Sequence, residues 1–248
     1  MKLKHSEGWN IPSDCPFYPP LPAIYRSVKM HLVFFRAEER AIDHFLPEPL
    51  EPSESGLCVA GGIDVPYSSH YGAFQESLLL LGARFRGVAG FYCSHVFHNG
   101  PAGIAAGREI YGTPKVFAEV AVGSSGEEMV TETRFEGADV LVIRSLASLA
   151  VAGEPMPPLT PAWRLKIIPR ADRPEPAVKQ LIDCSRATQD FVLHREARGN
   201  GEIRLGKSAR CDLTPLAPVA IVSAFHRECS YAEGFAEIAY DYLRESAG

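Results

Sequence analysis

Apolar and polar positions alternate along most of the chain with the two-residue period of strands. VKMHLVFFR, Val28 to Arg36, reads as one strand. AEERAIDHFL follows as a short amphipathic helix with Ala41, Phe45 and Leu46 on one side, stopped by Pro47 and Pro49. From residue 57 onward, strands are expected over LCVAGGIDVPY, GAFQESLLLLGARF, VAGFYCSHVFHN, EMVTETRFEG, DVLVIRSLASLAVAG, WRLKIIPR, ATQDFVLHREA and GEIRLGKSAR. Gly, Pro, Ser or Asp separates them. MVTETRF alternates strictly, as suits a sheet with one wet face. AVKQLI, after Pro174 and Pro176, reads as a short helix. PVAIVSAFHREC is a further strand, and YAEGFAEIAYDYLRE behind it is expected to turn helical. Ahead of residue 28, IPSDCPFYPPLPAIYR is rich in proline. It reads as an extended arm, residues 1–27, packing on the body or on a neighbouring subunit. No shift in composition and no repeat divides the chain. The pattern implies a single domain over 1–248, α+β and mostly antiparallel, as an open sheet or a barrel.

The 248 residues, 46% of them hydrophobic, suffice for one substantial core. A net charge of −5 argues against nucleic-acid and membrane-surface partners. MKLKHSEGWN has no apolar stretch behind its positive charge, and the apolar runs are too short to span a bilayer, so a cytoplasmic protein is expected. Cys15, Cys58, Cys93, Cys184, Cys211 and Cys229 lack metal or disulfide-framework spacing and read as reduced thiols.

No phosphate loop, dinucleotide fingerprint or nucleophile elbow is present. The glycine pair in AGGIDVP marks a bulge or a close backbone approach. His95 and His98, three apart on a strand, point to opposite faces and do not make a chelating pair; one is expected buried and one exposed. Among the lysines, Lys2, Lys4, Lys179 and Lys207 sit in polar surroundings, and Lys166 lies on a strand with one face open. Lys115 differs: it follows Pro114 and precedes Val116 and Phe117. By composition it is either a strand residue facing water or a buried amine. A buried amine attacks a carbonyl only as the free base, and an apolar pocket favours that form. The resulting iminium withdraws electrons from the adjacent bond and opens carbon–carbon chemistry through an enamine.

GREIYGTPK, Gly107 to Lys115, resembles the lysine motif of acetoacetate decarboxylases, in which a GRE triplet precedes a Pro-Lys pair at this spacing. LPEPLEP (46–52), QES (75–77), LKIIP (165–169) and YDYL (240–243) match family segments in the same order, so the resemblance spans nearly the whole chain. It implies a cone-like closed barrel, a homo-oligomer and no metal, nucleotide or other cofactor, because the lysine imine is the electron sink. By the same resemblance Lys115 is the Schiff-base lysine and Glu76 a pocket carboxylate. Arg108 and Glu109 match the GRE pair, which either serves the reaction or braces the loop. Tyr111 stands where diverged relatives carry a polar pocket residue. Its role is acid/base, shared as a candidate with Glu76 and Tyr240, or packing.

The departures are as informative. The family resembles PKK where this chain has Pro-Lys-Val, so Val116 replaces a second lysine. Val28 and Ala60 fall where the family places an arginine and a glutamate. The wider superfamily contains relatives that keep the lysine but use it with pyruvate and aldehydes, as aldolase-dehydratases, or as hydratases of unsaturated 2-oxo acids, and this chain resembles those diverged members. Three readings stay open: a Schiff-base lyase of small oxo acids with an aldehyde co-substrate, a β-oxo acid decarboxylase, and a non-catalytic binder of a carbonyl ligand.

Overall fold

A computed structural model describes residues 3–5, 7–148 and 155–245. Fifteen strands dominate it. They are β1 (Ala23–Arg36), β2 (Glu51–Pro52), β3 (Leu57–Val65), β4 (Tyr67–Ser68), β5 (Phe74–Phe85), β6 (Val88–His98), β7 (Lys115–Phe117) and β8 (Glu119–Ser125), then β9 (Glu128–Phe135), β10 (Ala138–Ser148), β11 (Ala162–Pro169), β12 (Pro176–Asp183), β13 (Thr188–Leu205), β14 (Ala220–Glu233) and β15 (Glu237–Asp241). Helices are few: α1 (Glu39–Phe45), α2 (Pro101–Ala106), a π-helical turn (Gly107–Tyr111), a short 3-10 turn (Thr214–Leu216) and α3 (Tyr242–Glu245). None is long and apolar enough to cross a membrane.

All strands join one sheet in the order β15-β12-β11-β6-β5-β3-β1-β14-β13-β10-β9-β8, with β2, β4 and β7 at its margins. Pairing is antiparallel except where β6 meets β11 and β7. The mostly antiparallel α+β architecture is as expected, but the closed barrel is not found. The sheet is an open path whose end strands do not pair with each other. It curls until β8 reaches β5, and there the Gln75 side-chain amide, rather than a ladder, makes the join. Its Nε2 donates to the Val122 carbonyl at 3.0 Å, and its Oε1 accepts the Val122 N–H at 3.2 Å.

β1 carries the apolar run HLVFF because both of its faces are covered. Val33 and Phe35 enter the main core with Leu79, Leu81, Phe97 and Ile143, while Leu32 and Phe34 enter a second cluster with Val59 and Phe225. Polar bridges cross the main core. His31 Nδ1 lies 2.9 Å from Thr131 Oγ1 and its Nε2 2.7 Å from Ser145 Oγ, which in turn lies 2.6 Å from His226 Nε2. The glycine pair marks a close approach here: a Cβ on Gly62 would lie 2.0 Å from Thr131 Oγ1.

Three expected elements differ. β1 starts at Ala23, so the extended arm ends before residue 27, and Ser27, at φ 51°, interrupts the pairing with β14. The arm packs on its own chain: Trp9 lies edge-on to Tyr18 and to Phe235, 6.2 and 6.0 Å between centroids. AVKQLI is strand β12, because β11 and β15 offer ladders on both sides and tertiary pairing outweighs local propensity. YAEGFAEIAYDYLRE is mostly strand for the same reason and turns helical only at Tyr242. The end of DVLVIRSLASLAVAG lies outside the described residues.

Candidate active site

Lys115 opens β7, held beside β6 in parallel register with Val96. The loop before it is built on two glycines. Gly107 starts the π-helical turn, a local irregularity frequent at functional sites. It is buried, and a Cβ on it would stand 2.9 Å from both Cδ and Cε of Lys115. The lysine stem therefore passes over a bare backbone. Gly112 has φ 72°, and a Cβ there would lie 2.3 Å from the Lys166 Cα. The Thr113 N–H bonds the Gly107 carbonyl at 2.9 Å and closes the loop.

Strand alternation on β5 sends Phe74 and Glu76 to one face and Ser77, Leu79 and Leu81 to the other. Lys115 shares the Phe74 face. Its Nζ lies 2.8 Å from Glu76 Oε2 and 5.5 Å from the Phe74 ring centroid. The pair is enclosed, with 13% and 15% of the two side chains accessible. Burial pushes the Glu76 carboxyl up, but the charge and hydrogen bond of Lys115, together with His98 and Arg164, hold the group below its ordinary value. The amine is thus paired with a carboxylate rather than set in a purely apolar pocket.

His98 completes the floor. Its ring stacks on Phe74 at 4.4 Å, and its Nδ1 accepts the Gly100 N–H at 2.8 Å. That leaves Nε2 as the N–H end, 3.8 Å from Glu76 Oε2. Burial, then the Lys115 charge, lowers His98 to about 4, so the ring is neutral at neutral pH. His98 Nε2 and the Tyr71 and Thr113 hydroxyls are buried without a hydrogen-bond partner among the described residues. Buried polar groups are normally satisfied. His98 Nε2 faces Glu76 Oε2 across 3.8 Å, and Tyr71 packs with the cluster that holds Phe74.

The remaining expected site residues divide. Tyr111 is buried, but its hydroxyl donates to the Gly234 carbonyl at 2.7 Å, so the acid/base role weighed for it is taken up by a structural bond. Arg108 and Glu109 are exposed. The Arg108 guanidinium donates to the Lys115 carbonyl at 3.2 Å, and Glu109 accepts the Tyr18 hydroxyl at 2.5 Å. They brace the turn and tie it to the arm; no ion pair joins them. Val116 packs against the main core, on the opposite face from the amine, because neighbours on a strand alternate. It is not a pocket residue. Val28 lines the Phe74 face as expected for a pocket position, but Ala60 faces the main core, and Ile63 is the β3 residue in register with Glu76. Tyr240 packs against Phe85 and Tyr242, away from the amine.

His95 and His98 are both largely buried rather than one in and one out. They do point to opposite faces, since the pairing from His95 to His98 is regular, but both faces are covered: His95 lies against Phe45 and Phe97 and His98 against Phe74. No group of three or more metal-ligating side chains occurs among the described residues. The six cysteines are free.

The acetoacetate decarboxylase family model matches residues 10–243. The chain belongs to that family. Acetoacetate decarboxylase 1 of Bradyrhizobium diazoefficiens is 27% identical to it over 253 residues, covering 95% of this chain and 94% of the relative. The acetoacetate decarboxylase of Legionella pneumophila superposes with a TM-score of 0.81 at 22% identity, covering 98% of this chain and 100% of the other. The enduracididine biosynthesis enzyme MppR, complexed with the condensation product of pyruvate and imidazole 4-carboxaldehyde, superposes with a TM-score of 0.81 at 18% identity, covering 96% and 100%. The mostly antiparallel sheet is thus the acetoacetate decarboxylase fold.

Sequence reasoning passed over His98, beside Glu76, and Arg164, whose guanidinium lies over the Tyr111 ring. His98 was visible only as half of a rejected metal pair. Arg164 had a signal: in WRLKIIPR, Trp163 and Leu165 share one face, which leaves Arg164 on the other.

Proposed function

We propose that this acetoacetate decarboxylase family member is a Schiff-base-forming lyase of small 2-oxo acids, with Lys115 as the imine-forming amine and Glu76 as its proton-transfer partner. The observation that carries the reading is the enclosed Lys115–Glu76 contact at 2.8 Å. Attack requires the amine without its proton, and Glu76 is the base placed to take it. The amine adds to the substrate carbonyl, and the carbonyl oxygen leaves as water after receiving two protons. Loss of a proton from the neighbouring carbon to Glu76 gives the enamine. Its carbon attacks an aldehyde; elimination of the new hydroxyl as water and hydrolysis of the imine release an unsaturated oxo acid and regenerate the lysine. Run on an unsaturated 2-oxo acid, the same imine activates addition of water. MppR, bound to a pyruvate–aldehyde condensation product on the same fold, supports this chemistry by analogy.

Decarboxylation of a β-oxo acid is the second reading, favoured by the names of the relatives. There the iminium accepts the electron pair of the breaking C–C bond, CO2 departs, and protonation and hydrolysis release a ketone. The test is reductive trapping. The protein is incubated with pyruvate or acetoacetate, borohydride is added, and the intact mass is measured. A pyruvate adduct absent from Lys115→Ala, with an unsaturated product when an aldehyde is supplied, supports the first reading. CO2 release from acetoacetate supports the second. An adduct that survives in Lys115→Ala, or no adduct at all, refutes Lys115 as the imine former.

A further inference from the structure

β11 presents two chemically different faces. Trp163 and Leu165 pack with Leu50, Phe85 and Tyr92, so Ala162, Arg164 and Lys166 project the other way, toward the π-helical turn. Lys166 is used there structurally: its Nζ donates to the Ile110 carbonyl at 3.2 Å. The Arg164 guanidinium lies over the Tyr111 ring, 5.4 Å from its centroid. Among the described residues it makes no hydrogen bond and has no carboxylate at ion-pair distance.

Its other electrostatic neighbours are Cys184, Cys93, Glu233 and Glu76. None neutralises it by contact. Burial pushes the Cys93 thiol up to about 12 and raises Cys184 as well, so both stay uncharged. Glu76 is engaged with Lys115 at 2.8 Å, and Glu233 accepts the Tyr25 hydroxyl at 2.9 Å. β1 adds the uncharged side chains of Ala23, Tyr25, Val28 and Met30 to this side of the sheet. The charges on this side of the sheet are therefore the Lys115–Glu76 pair, the Glu233 carboxylate and the Arg164 guanidinium, which no carboxylate touches. A partly buried guanidinium keeps its charge, because arginine does not shed its proton, and it is stabilised by an anion in contact with its fork. The guanidinium lies over Tyr111, in the turn that leads to Lys115, with its hydrogen-bonding fork unused, which suits an anionic ligand.

We propose that Arg164 binds the substrate carboxylate through its planar fork while Lys115 condenses with the neighbouring carbonyl, and that this selects oxo acids whose carboxylate survives the reaction. The assignment rests on Lys115 forming the imine. Its consequence follows from what happens to charge. Decarboxylation converts the carboxylate into neutral CO2, so an arginine gripping it stabilises the starting state and is lost on the way to the transition state. Removing a proton from the carbon on the other side of a 2-oxo acid's carbonyl leaves the carboxylate intact. The Arg164 contact then holds in both states and orients the imine at no cost to the barrier. Arg164 thereby distinguishes the two readings of the family chemistry, and favours 2-oxo acids.

The test compares pyruvate with its methyl ester in borohydride trapping at graded concentrations. The ester is uncharged and its carbonyl is the more electrophilic, so reactivity alone favours the ester. The expected result on the wild-type protein is half-saturation by pyruvate at a concentration about 10- to 100-fold lower than by the ester, the range for a charge-assisted contact. Arg164→Leu is expected to raise the pyruvate value by about the same factor, leave the ester within about two-fold, and be partly rescued by Arg164→Lys. A wild-type protein with no preference for the anion overturns the proposal without any variant, so a misfolded Arg164→Leu does not shelter it. A folded Arg164→Leu that loses both carbonyl compounds equally also overturns it. If neither compound is trapped by the wild type, the imine role of Lys115 falls, and the Arg164 assignment with it.

Discussion

Gly107→Ala separates the needs of the site from the needs of the fold. The backbone of Gly107 is right-handed helical, φ −59° and ψ −42°, which alanine adopts without strain. By removing freedom from the unfolded chain, the substitution is worth about 0.4–1 kcal/mol of stability. For a chain of this size that is an unchanged thermal midpoint or a rise of about 1–4 °C. The function should respond in the opposite sense. The new methyl would stand 2.9 Å from Cδ and Cε of Lys115. Ordinary carbon contacts begin near about 3.5 Å, so the lysine stem must retreat by about 0.6 Å or more. A flexible stem can do this cheaply, which spares the fold. The amine, however, is drawn from its 2.8 Å contact with Glu76. Displacements approaching an ångström cost catalytic geometry about 10- to 100-fold. Stopped-time borohydride trapping with pyruvate, read by intact mass, gives the rate of imine formation, and a thermal melt gives the stability. Trapping at the wild-type rate would refute the role assigned to the glycine. So would a midpoint lowered by more than about 5 °C, because the stem would then not be absorbing the clash.

Acid should weaken the fold before the carboxylates titrate. His31 and His98 are fully buried, and burial lowers them to about 3 and about 4. The unfolded chain, near 6.5, then binds more protons than the folded one, so stability is greatest above pH 6.5 and falls toward pH 4 by up to about 1.4 kcal/mol per pH unit for each ring. Urea midpoints that stay flat between pH 7 and 5 would contradict this. Gly62→Ala forces a methyl into the Thr131 side chain at 2.0 Å and should cost about 1–3 kcal/mol, a fall of several degrees in the thermal midpoint; an unchanged midpoint would show that β3 and β9 are not in tight contact. Val116→Lys restores the family's lysine pair in sequence only. Because the position faces the main core, the variant should melt lower and form the imine no faster, and faster trapping would show that residue 116 reaches the amine after all.

The family and the two residues that form the enclosed ion pair, Lys115 and Glu76, were legible along the chain, because the GRE to Pro-Lys spacing and the QES triplet are local patterns that do not depend on how distant strands meet. So was the close approach at Gly61 and Gly62. Strand β12 was not, since AVKQLI becomes extended through ladders to β11 and β15 that lie elsewhere in the chain. Nor was the way the sheet ends. Its open path and the Gln75 bridge to β8 depend on the accumulated curl of many strands. Within the site, sequence alone established which groups could react: an amine at 115 and a carboxylate at 76. Tertiary structure decided what surrounds them. It turned Val116 away, occupied the Tyr111 hydroxyl with a backbone carbonyl, set His98 beneath Glu76, and laid Arg164 over the Tyr111 ring with no carboxylate in contact. Side-chain direction and charge pairing are relations between strands that only the folded sheet brings together.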